Sequence, residues 1–413
     1  MPFDWSAAKE KVRQEWQFVM ATFAASGVGY LGSAGAPVIV AGLIDAGLDT
    51  QQAGDLGTVE LMMLAVTSTL VTPFVARVSH RKLAMGGAAL AAVGLLISVM
   101  SESYSAMIIG RVLTGSGSGL AISGANAAVA AREDAERIFA LIWTMGGGIT
   151  ASLAAGLDSV VKGGNYPMGF GVLLVLCLAG LPFMIWVPPQ PSFDHSENKA
   201  SDDSVGEAPE ETGPIFGPMA ILALLGMFTY SVAEQALWNF GYYIPVEAGV
   251  PEDVVGDILG VTVLMGLIGG AFAVWLGTRW GRVAPIVVGS LCSVAGRWIF
   301  ISSATTEWVF VGGLLWGLGF YFVSPYQIGL VAALDRHGRV AVAAGGAMNF
   351  GYAMGPTIGG RILKELEPSA FLAVIVGATI LSLLLLLPLA LKIDRKGRKE
   401  ALRGADSGVV AAG

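Results

Sequence analysis

Long apolar stretches alternate with short polar ones along nearly the whole chain. An α-helix needs roughly 20 mostly apolar residues to cross about 30 Å of hydrocarbon at about 1.5 Å per residue. By this measure we predict twelve membrane spans, six before and six after a polar central segment. Their approximate bounds are 18–45, 52–76, 82–100, 104–131, 137–161, 167–187, 218–246, 253–277, 283–303, 307–333, 339–361 and 369–391.

The spans are predicted to be helices because every backbone N–H and C=O group inside a bilayer must find its partner within the protein. They are too long for membrane strands and lack the alternation that strands show. Composition agrees, since 54% of the 413 residues are hydrophobic, 13% are charged, and the mean hydropathy is +0.68. We therefore expect an all-α membrane protein.

The central segment, residues 188–217, is rich in Pro, Ser, Asp and Glu and cannot bury enough apolar surface to fold alone. We interpret it as an acidic linker between an N-terminal bundle, 18–187, and a C-terminal bundle, 218–392. Residues 1–17 have the pattern of a helix lying on the membrane surface, or of a frayed soluble tail. Residues 393–413 form a second tail.

Lys and Arg residues concentrate on one side of the predicted membrane. If the N-terminus is cytoplasmic, 19 of the 24 fall in cytoplasmic segments, and only Lys162, Arg361 and Lys364 lie outside. Positive residues favour the cytoplasmic side of a membrane. We therefore predict a multi-pass protein of the cell's inner (plasma) membrane, with both termini and the linker in the cytoplasm.

The two groups of spans are related by an internal repeat. A glycine match alone is weak, but a shared offset at matching span ends indicates duplication of a six-helix unit. A single shift of 202 residues aligns the pairs Gly54–Gly256, Arg77–Arg279, Gly110–Gly312, Gly115–Gly317, Gly117–Gly319 and Arg137–Arg339.

Twelve spans in two parallel repeats, joined by a cytoplasmic loop, resemble the major facilitator superfamily of secondary transporters. The most specific motif lies in the fourth span, where an arginine is followed by small residues: Arg111, Gly115, Gly117 and Gly119. The resemblance implies twelve transmembrane helices in two pseudo-symmetric six-helix bundles. It also implies a central cavity lined by spans one, four, seven and ten.

A second family motif, built on glycines and a Gly-Pro pair, marks the fifth span of many exporters. Here it occurs in the eleventh span, around Gly355 and Pro356, and is missing from the fifth. By resemblance, its absence from the fifth span favours uptake over export. Small residues let helices approach closely and proline weakens a helical turn. We therefore predict Gly115, Gly355 and Pro356 as conformational hinge positions.

Arg111 lies within the fourth span. Placing an ionised side chain at that depth of the membrane costs at least about 2.5 to 3.5 kcal/mol in insertion free energy unless the charge is paired or faces water. Glu60 lies at a similar depth in the second span. We expect the two to interact, with Glu60 carrying a coupling proton and Arg111 tuning how readily it does so. The alternatives are a static ion pair that joins the two helices, or an Arg111 side chain that reaches outward to the membrane surface. Arg297, in the ninth span, is expected to reach the outer surface, because the resemblance places that span outside the cavity.

On the seventh span, Tyr230, Glu234 and Trp238 recur every four residues and so share one side of a helix. The resemblance makes this side part of the substrate wall, with Glu234 carrying a proton or holding a cationic group. The alternative for this span is that its aromatic residues form an outer interfacial belt, and an aromatic stripe also fits simple helix packing. The other predicted binding residues are Tyr30, Asn126, Gln235, Trp316, Phe320 and Gln327.

We predict a secondary active transporter that works by alternating access and couples uptake of an organic acid or aromatic metabolite to protons. Proton-driven export of amphipathic or cationic compounds is the alternative. A channel or a receptor has no sequence feature in its favour. The glycine-rich run is no phosphate loop and the three His lack zinc-ligand spacing, so we expect no enzyme, cofactor, metal or nucleic-acid partner, and a monomer.

Overall fold

The structure is a computed structural model that describes residues 5–75, 77–132, 135–189, 217–277, 279–334, 339–366 and 368–410. Twelve long helices follow the twelve predicted spans, and the described residues contain no strand. We number them α1 to α12: Trp5–Asp45, Thr50–Val71, His80–Met100, Tyr104–Ala130, Ala135–Gly156, Tyr166–Gly180, Pro218–Phe240, Glu252–Leu276, Val283–Ser302, Thr306–Ala332, Arg339–Glu365 and Pro368–Val410.

Ten of these helices, within the described residues, are long and apolar enough to cross a membrane. The other two, α5 and α11, have 22 and 27 residues and are rich in Gly and Ala. Both pack against long helices of the opposite half, α5 against α8 and α11 against α2. The small side chains of α5 and α11 allow that close packing.

Two helices extend past the predicted spans. α1 begins at Trp5, so residues 5–17 continue the first span without a break, and α12 runs to Val410. The predicted linker 188–217 falls almost wholly within 190–216, outside the described residues. The linker, the division into two domains and the surface position of the N-terminal segment stay predictions.

Local sequence signals explain where several helices begin. The Asp49 side chain caps α2 by accepting a hydrogen bond from the Gln52 backbone N–H at 2.8 Å, and the Gln52 side-chain oxygen accepts from the Asp49 backbone N–H at 3.2 Å. This reciprocal arrangement satisfies two amides that the first turn leaves unpaired. Ser79 and Ser103 cap α3 and α4 with a single hydrogen bond each, in which the serine side-chain oxygen accepts from a backbone N–H of the first turn. Such a cap contributes about 1 kcal/mol to helix stability.

The internal repeat is confirmed by equivalent glycine contacts in the two halves. A Cβ atom on Gly115 would lie 2.1 Å from the Glu60 carbonyl oxygen, and one on Gly317 would lie 2.0 Å from the Thr262 carbonyl oxygen. Both members of the second pair stand 202 residues after those of the first. Likewise Gly117 meets Gly87 and Ala91, while Gly319 meets Gly289 and Ser293. The same glycines bring the same helices into backbone contact in each half.

The halves meet at one end of the bundle, where α2 and α8 begin and α5 and α11 end. We call this the closed end. There the Thr50 hydroxyl donates to the Gly360 carbonyl at 2.8 Å, and the Lys364 ammonium lies 2.9 Å from the Asp49 carboxylate. A Cβ atom on Gly54 would lie 2.3 Å from the Pro356 carbonyl oxygen, so α2 and α11 touch through their backbones.

The apolar core also joins the halves at the closed end. One cluster of buried residues includes Leu43 and Leu56 from the first half with Leu237 and Phe240 from the second. A second cluster, at the opposite end, contains residues of the second half only, among them Met227, Ile286, Leu330 and Leu389. The halves therefore share a core at the closed end and separate toward the other.

We expect Gly115→Ala and Gly317→Ala to destabilise the protein by similar amounts, about 1 to 3 kcal/mol each, because each methyl group would enter a backbone contact. Thermal unfolding of the purified protein in detergent measures this. Gly86→Ala is the matched control, since nothing lies within 4 Å of its added Cβ. Equal melting temperatures for all three variants would contradict the expectation.

Candidate functional site

A cavity of about 260 Å³ lies between the two halves. Its walls come from α1, α2 and α5 of the first half and from α7, α8, α10 and α11 of the second. The walls are mostly apolar, with hydroxyl and amide groups from Ser26, Ser33, Thr150, Gln235 and Asn349 among them. Eight rings line it: Phe23, Tyr30, Trp143, Trp238, Trp316, Phe320, Tyr321 and Tyr352.

The cavity extends from the middle of the bundle away from the closed end. It includes Phe23, Trp143 and Asn349, which lie in the halves of α1, α5 and α11 that are remote from that end. Tyr30 is 50% exposed although it lines the cavity, and its ring lies 6.4 Å from that of Trp143. A mostly apolar space with a few polar groups suits binding of a small molecule.

Glu234 is the only charged residue among the described residues that line this cavity. Its carboxylate is buried and accepts hydrogen bonds from the Arg297 guanidinium and from the Trp316 indole N–H, the latter at 3.0 Å. Trp316 is itself nearly fully buried. The acid is therefore held in place, with its charge balanced from behind the wall.

The expectation that Arg297 reaches the outer surface is wrong. Arg297 is 0% exposed and binds Glu234 and the Thr379 hydroxyl, with its guanidinium carbon 4.8 Å from the centre of the Tyr230 ring. An outward-reaching side chain would leave the Glu234 carboxylate buried without its counter-charge, which costs more than burying the pair together. The pair joins α7 to α9, and Thr379 adds α12.

The expected contact between Glu60 and Arg111 is confirmed. Arg111 donates to the Glu60 carboxylate at 2.6 Å and to the Ser98 hydroxyl at 2.8 Å, and its guanidinium carbon lies 4.4 Å from the Phe170 ring centre. This second buried pair joins α2, α3 and α4. It does not line the main cavity but a separate one of about 30 Å³.

The two ion pairs are not copies of one another, although they occupy repeated halves. Each half brings its arginine and glutamate from different helices of the repeat, α4 and α2 in the first half, α9 and α7 in the second. Residues of other types stand at the equivalent positions, 202 residues away: Thr262 for Glu60, Gly313 for Arg111, Gly32 for Glu234 and Leu95 for Arg297.

Six of the predicted binding residues line the main cavity: Tyr30, Glu234, Gln235, Trp238, Trp316 and Phe320. The structure places three outside it. Tyr230 lies behind the wall, stacked on Phe320 and beneath Arg297. Asn126 is exposed near the end of α4. Gln327 is buried six residues beyond Tyr321, the last lining residue of α10, and so lies roughly 9 Å further along that helix.

Sequence reasoning missed Trp143, Asn349 and Tyr352, because they lie on α5 and α11, outside the helices that the resemblance assigns to the cavity. The predicted hinge positions are found in close contacts. A Cβ atom on Gly355 would lie 2.8 Å from the Ala236 amide nitrogen, and Pro356 meets Gly57. Their role as hinges stays a prediction, as does that of Gly115.

Sequence reasoning also missed a bond between the halves at the cavity wall. The Trp238 indole N–H donates to the Ser33 carbonyl at 2.7 Å, and the Gln235 side-chain amide donates to the Ser33 hydroxyl at 3.2 Å. Pro37 lies inside α1 and has no N–H, so it leaves the carbonyl four residues earlier without its usual helical partner. That carbonyl belongs to Ser33. Pro37 is the feature of the sequence from which a partner for the Ser33 carbonyl could have been predicted.

Comparison with known proteins agrees with this architecture. The sequence profile of the Major Facilitator Superfamily matches residues 18–334, and the chain belongs to that family. It is therefore a multi-pass membrane protein and a secondary transporter. A search of curated proteins found no match.

Several solved transporters share the fold. The nucleoside transporter NupG is 12% identical with a TM-score of 0.69, over 91% of this chain and 98% of that chain. A POT family transporter in complex with 5-aminolevulinic acid is 13% identical with a TM-score of 0.68, over 92% and 96%. A bacterial homologue of the human lysosomal transporter Spinster, in an inward-facing conformation, is 15% identical with a TM-score of 0.62, over 91% and 95%.

We expect Glu234→Leu alone to destabilise the protein by about 3 kcal/mol or more, because Arg297 would stay buried with an unbalanced charge. The double variant Glu234→Leu with Arg297→Leu should recover much of that loss. Thermal unfolding of the single and double variants measures the difference. A double variant no more stable than Glu234→Leu would show that the pair does not act as a unit.

Proposed function

We propose that the protein couples protons to the transport of a small, uncharged solute with a planar ring, and that it works by alternating access. The observation that carries this proposal is the ring-lined cavity between the halves, whose one acid is neutralised by Arg297. A single chain supplies every wall of that cavity, so we propose that a monomer is the transporting unit.

Shape and charge of the cavity support a ring-bearing solute. Aromatic side chains offer flat apolar faces that stack on other rings, while a few polar groups orient the ligand. No Lys or Arg is among the described residues that line the cavity. The expectation of a carboxylate substrate rested on Arg111, which lines the smaller cavity and already has Glu60 as its partner. We therefore favour the aromatic part of the earlier expectation over the organic acid.

Export of amphipathic cations is the second candidate, because the one charged group that lines the cavity is an acid. A cation would have to compete with Arg297 for the Glu234 carboxylate. Since Arg297 is fully buried and also bonded to Thr379, that competition is unfavourable. This argument ranks the cation below the uncharged ring.

Alternating access is supported by the contrast between the two ends. The halves share hydrogen bonds and core at the closed end, while the cavity extends toward the other. With Lys and Arg concentrated in the loops at that other end, we propose that it faces the cytoplasm and that the protein lies in the inner membrane. The closed end then faces outward. The direction that we propose is uptake.

Proton coupling is supported by the way each ion pair joins helices. Protonation of Glu60 would remove the negative half of a pair that connects α2 to α4, and protonation of Glu234 would do the same between α7 and α9. A salt bridge inside a membrane protein depends strongly on both charges. Binding of a proton would therefore change how helices pack within a half, and so would alter the balance between open and closed states.

We expect uncharged ring compounds to raise the melting temperature of the purified protein more than aromatic cations do, and aromatic carboxylates least. Nucleosides, benzoate and tetraphenylphosphonium serve as probes at matched concentrations. A ligand at about 100 times its Kd stabilises by about 2.7 kcal/mol, which thermal unfolding resolves. Stabilisation by benzoate alone would contradict the proposed substrate class.

We expect Glu60→Gln to abolish accumulation of a substrate found in that screen when a proton gradient is imposed across proteoliposomes. Exchange of labelled for unlabelled substrate should persist, because it needs no net proton movement. Glu102→Gln, an exposed position between α3 and α4, is the control and should accumulate normally. A Glu60→Gln protein that accumulates substrate as well as the wild type would remove Glu60 from the coupling mechanism.

A further inference from the structure

The second, smaller cavity has a volume of about 30 Å³ and lies between the halves, beside the Glu60–Arg111 pair. Most of its lining is apolar or glycine. The polar lining residues are Ser33, Glu60, Arg111, Gln235 and Asn239. The first three come from α1, α2 and α4, and the last two from α7. Ser33 and Gln235 also line the main cavity, so the two spaces share a wall.

Three hydrogen-bonding atoms of the lining residues have no partner among the described residues. The Asn239 Oδ1 atom and the Arg111 Nε atom are buried without one. The Glu60 carboxylate receives Arg111 at Oε2, and no bond to its Oε1 is found among the described residues. A buried acceptor or donor left unpaired costs about 1 to 3 kcal/mol in free energy, so the Asn239 and Arg111 atoms, which belong to the lining of one cavity, need an explanation.

Two glycines locate the acceptors at the cavity. A Cβ atom on Gly57 would lie 3.0 Å from Asn239 Oδ1, and one on Gly32 would lie 1.8 Å from Glu60 Oε1. Both glycines line the small cavity. A side chain on either glycine would crowd the neighbouring oxygen atom, so both oxygens lie close against glycine backbone at the wall of the small cavity.

Two acceptors and one donor match the bonding capacity of a water molecule, which donates two hydrogen bonds and accepts up to two. A cavity needs about 10 to 15 Å³ of such volume and two to four polar partners to hold a water, and this one has both. A metal cation fits less well, because it cannot accept a bond from Arg111 and would lie beside its positive charge.

We propose that this cavity is a binding site for one water molecule, which donates to Glu60 Oε1 and to Asn239 Oδ1 and accepts from Arg111 Nε. The water connects the two halves, because Glu60 belongs to α2 and Asn239 to α7. The Asn239 side-chain amide in turn donates to the Gln235 carbonyl at 2.9 Å, and Gln235 directly follows Glu234 on the same helix. The state of Glu60 is thereby transmitted to the helix that carries the acid of the main cavity.

The transmission step rests on the proposed proton coupling, whereas the water site does not. When Glu60 takes a proton at Oε1, this oxygen changes from acceptor to donor. The water must turn so that its own oxygen accepts, and one of its hydrogens loses its acceptor. The number of hydrogen bonds stays the same, but the charge-assisted bond to the carboxylate is replaced by a neutral one, which is roughly half as strong, so the connection between α2 and α7 weakens.

The first test is an experimental structure of the full-length protein at a resolution that shows ordered waters, compared with the Asn239→Leu and Gly57→Ala variants. The wild type should show density for a single light atom within about 3 Å of Glu60 Oε1 and of Asn239 Oδ1. Both variants should lose it, Asn239→Leu because an acceptor is gone and Gly57→Ala because the new methyl group occupies the space. An empty wild-type cavity, or density with the short contacts of a metal ion, would overturn the proposal.

The second test separates transmission from the water site. In proteoliposomes, Asn239→Leu and Gly57→Ala should reduce proton-driven accumulation about tenfold, the effect of losing one hydrogen bond to a charged group, and keep substrate exchange. Gly86→Ala is the matched control for the added methyl group. Full accumulation in variants that lack the water density would overturn the transmission step. If the wild type moves no protons with substrate, the proposed coupling fails, while the density still decides the water site.

Discussion

A charged side chain inside a membrane protein needs an opposite charge within reach, and this requirement organises the interior of the bundle. Arg111 and Arg297 are each buried with a glutamate, a hydroxyl and an aromatic ring around them. Each arrangement draws on three or more helices. The pairs therefore fix helix positions within a half, and any change in their charge must alter that packing.

The backbone scaffold could be predicted from sequence because its signals are local or periodic. Span lengths gave the helices, and the shared offset of 202 residues indicated the repeat that the glycine contacts display. The pairing of Glu60 with Arg111 followed from matching depth alone. The partner of Arg297 did not, because the choice between the bilayer surface and Glu234 depends on how α9 is rotated, which no one-dimensional pattern specifies.

For the cavity too, features that depend on a single helix could be predicted from sequence, whereas features that depend on how several helices pack could not. Glu234 and Trp238 on α7, and Trp316 and Phe320 on α10, line the cavity as their helical spacing predicts, whereas Tyr230 of the same stripe lies behind the wall. How far the cavity reaches along each helix depends on the angle between the halves, so Asn126 and Gln327 fell outside it. Duplication preserved the glycines of the scaffold, whereas the ionic groups differ between the halves.

The proline in the first helix has a consequence for the energetics of opening. Pro37 leaves the Ser33 carbonyl without a helical donor, and the Trp238 indole of the opposite half supplies one. If the halves part along this seam, both groups lose their partner together and neither can find another within its own helix. Separation of these two groups requires water molecules to enter and bind both of them. The free-energy barrier to opening therefore depends on hydration at this contact, and osmolytes that lower the activity of water would raise the barrier.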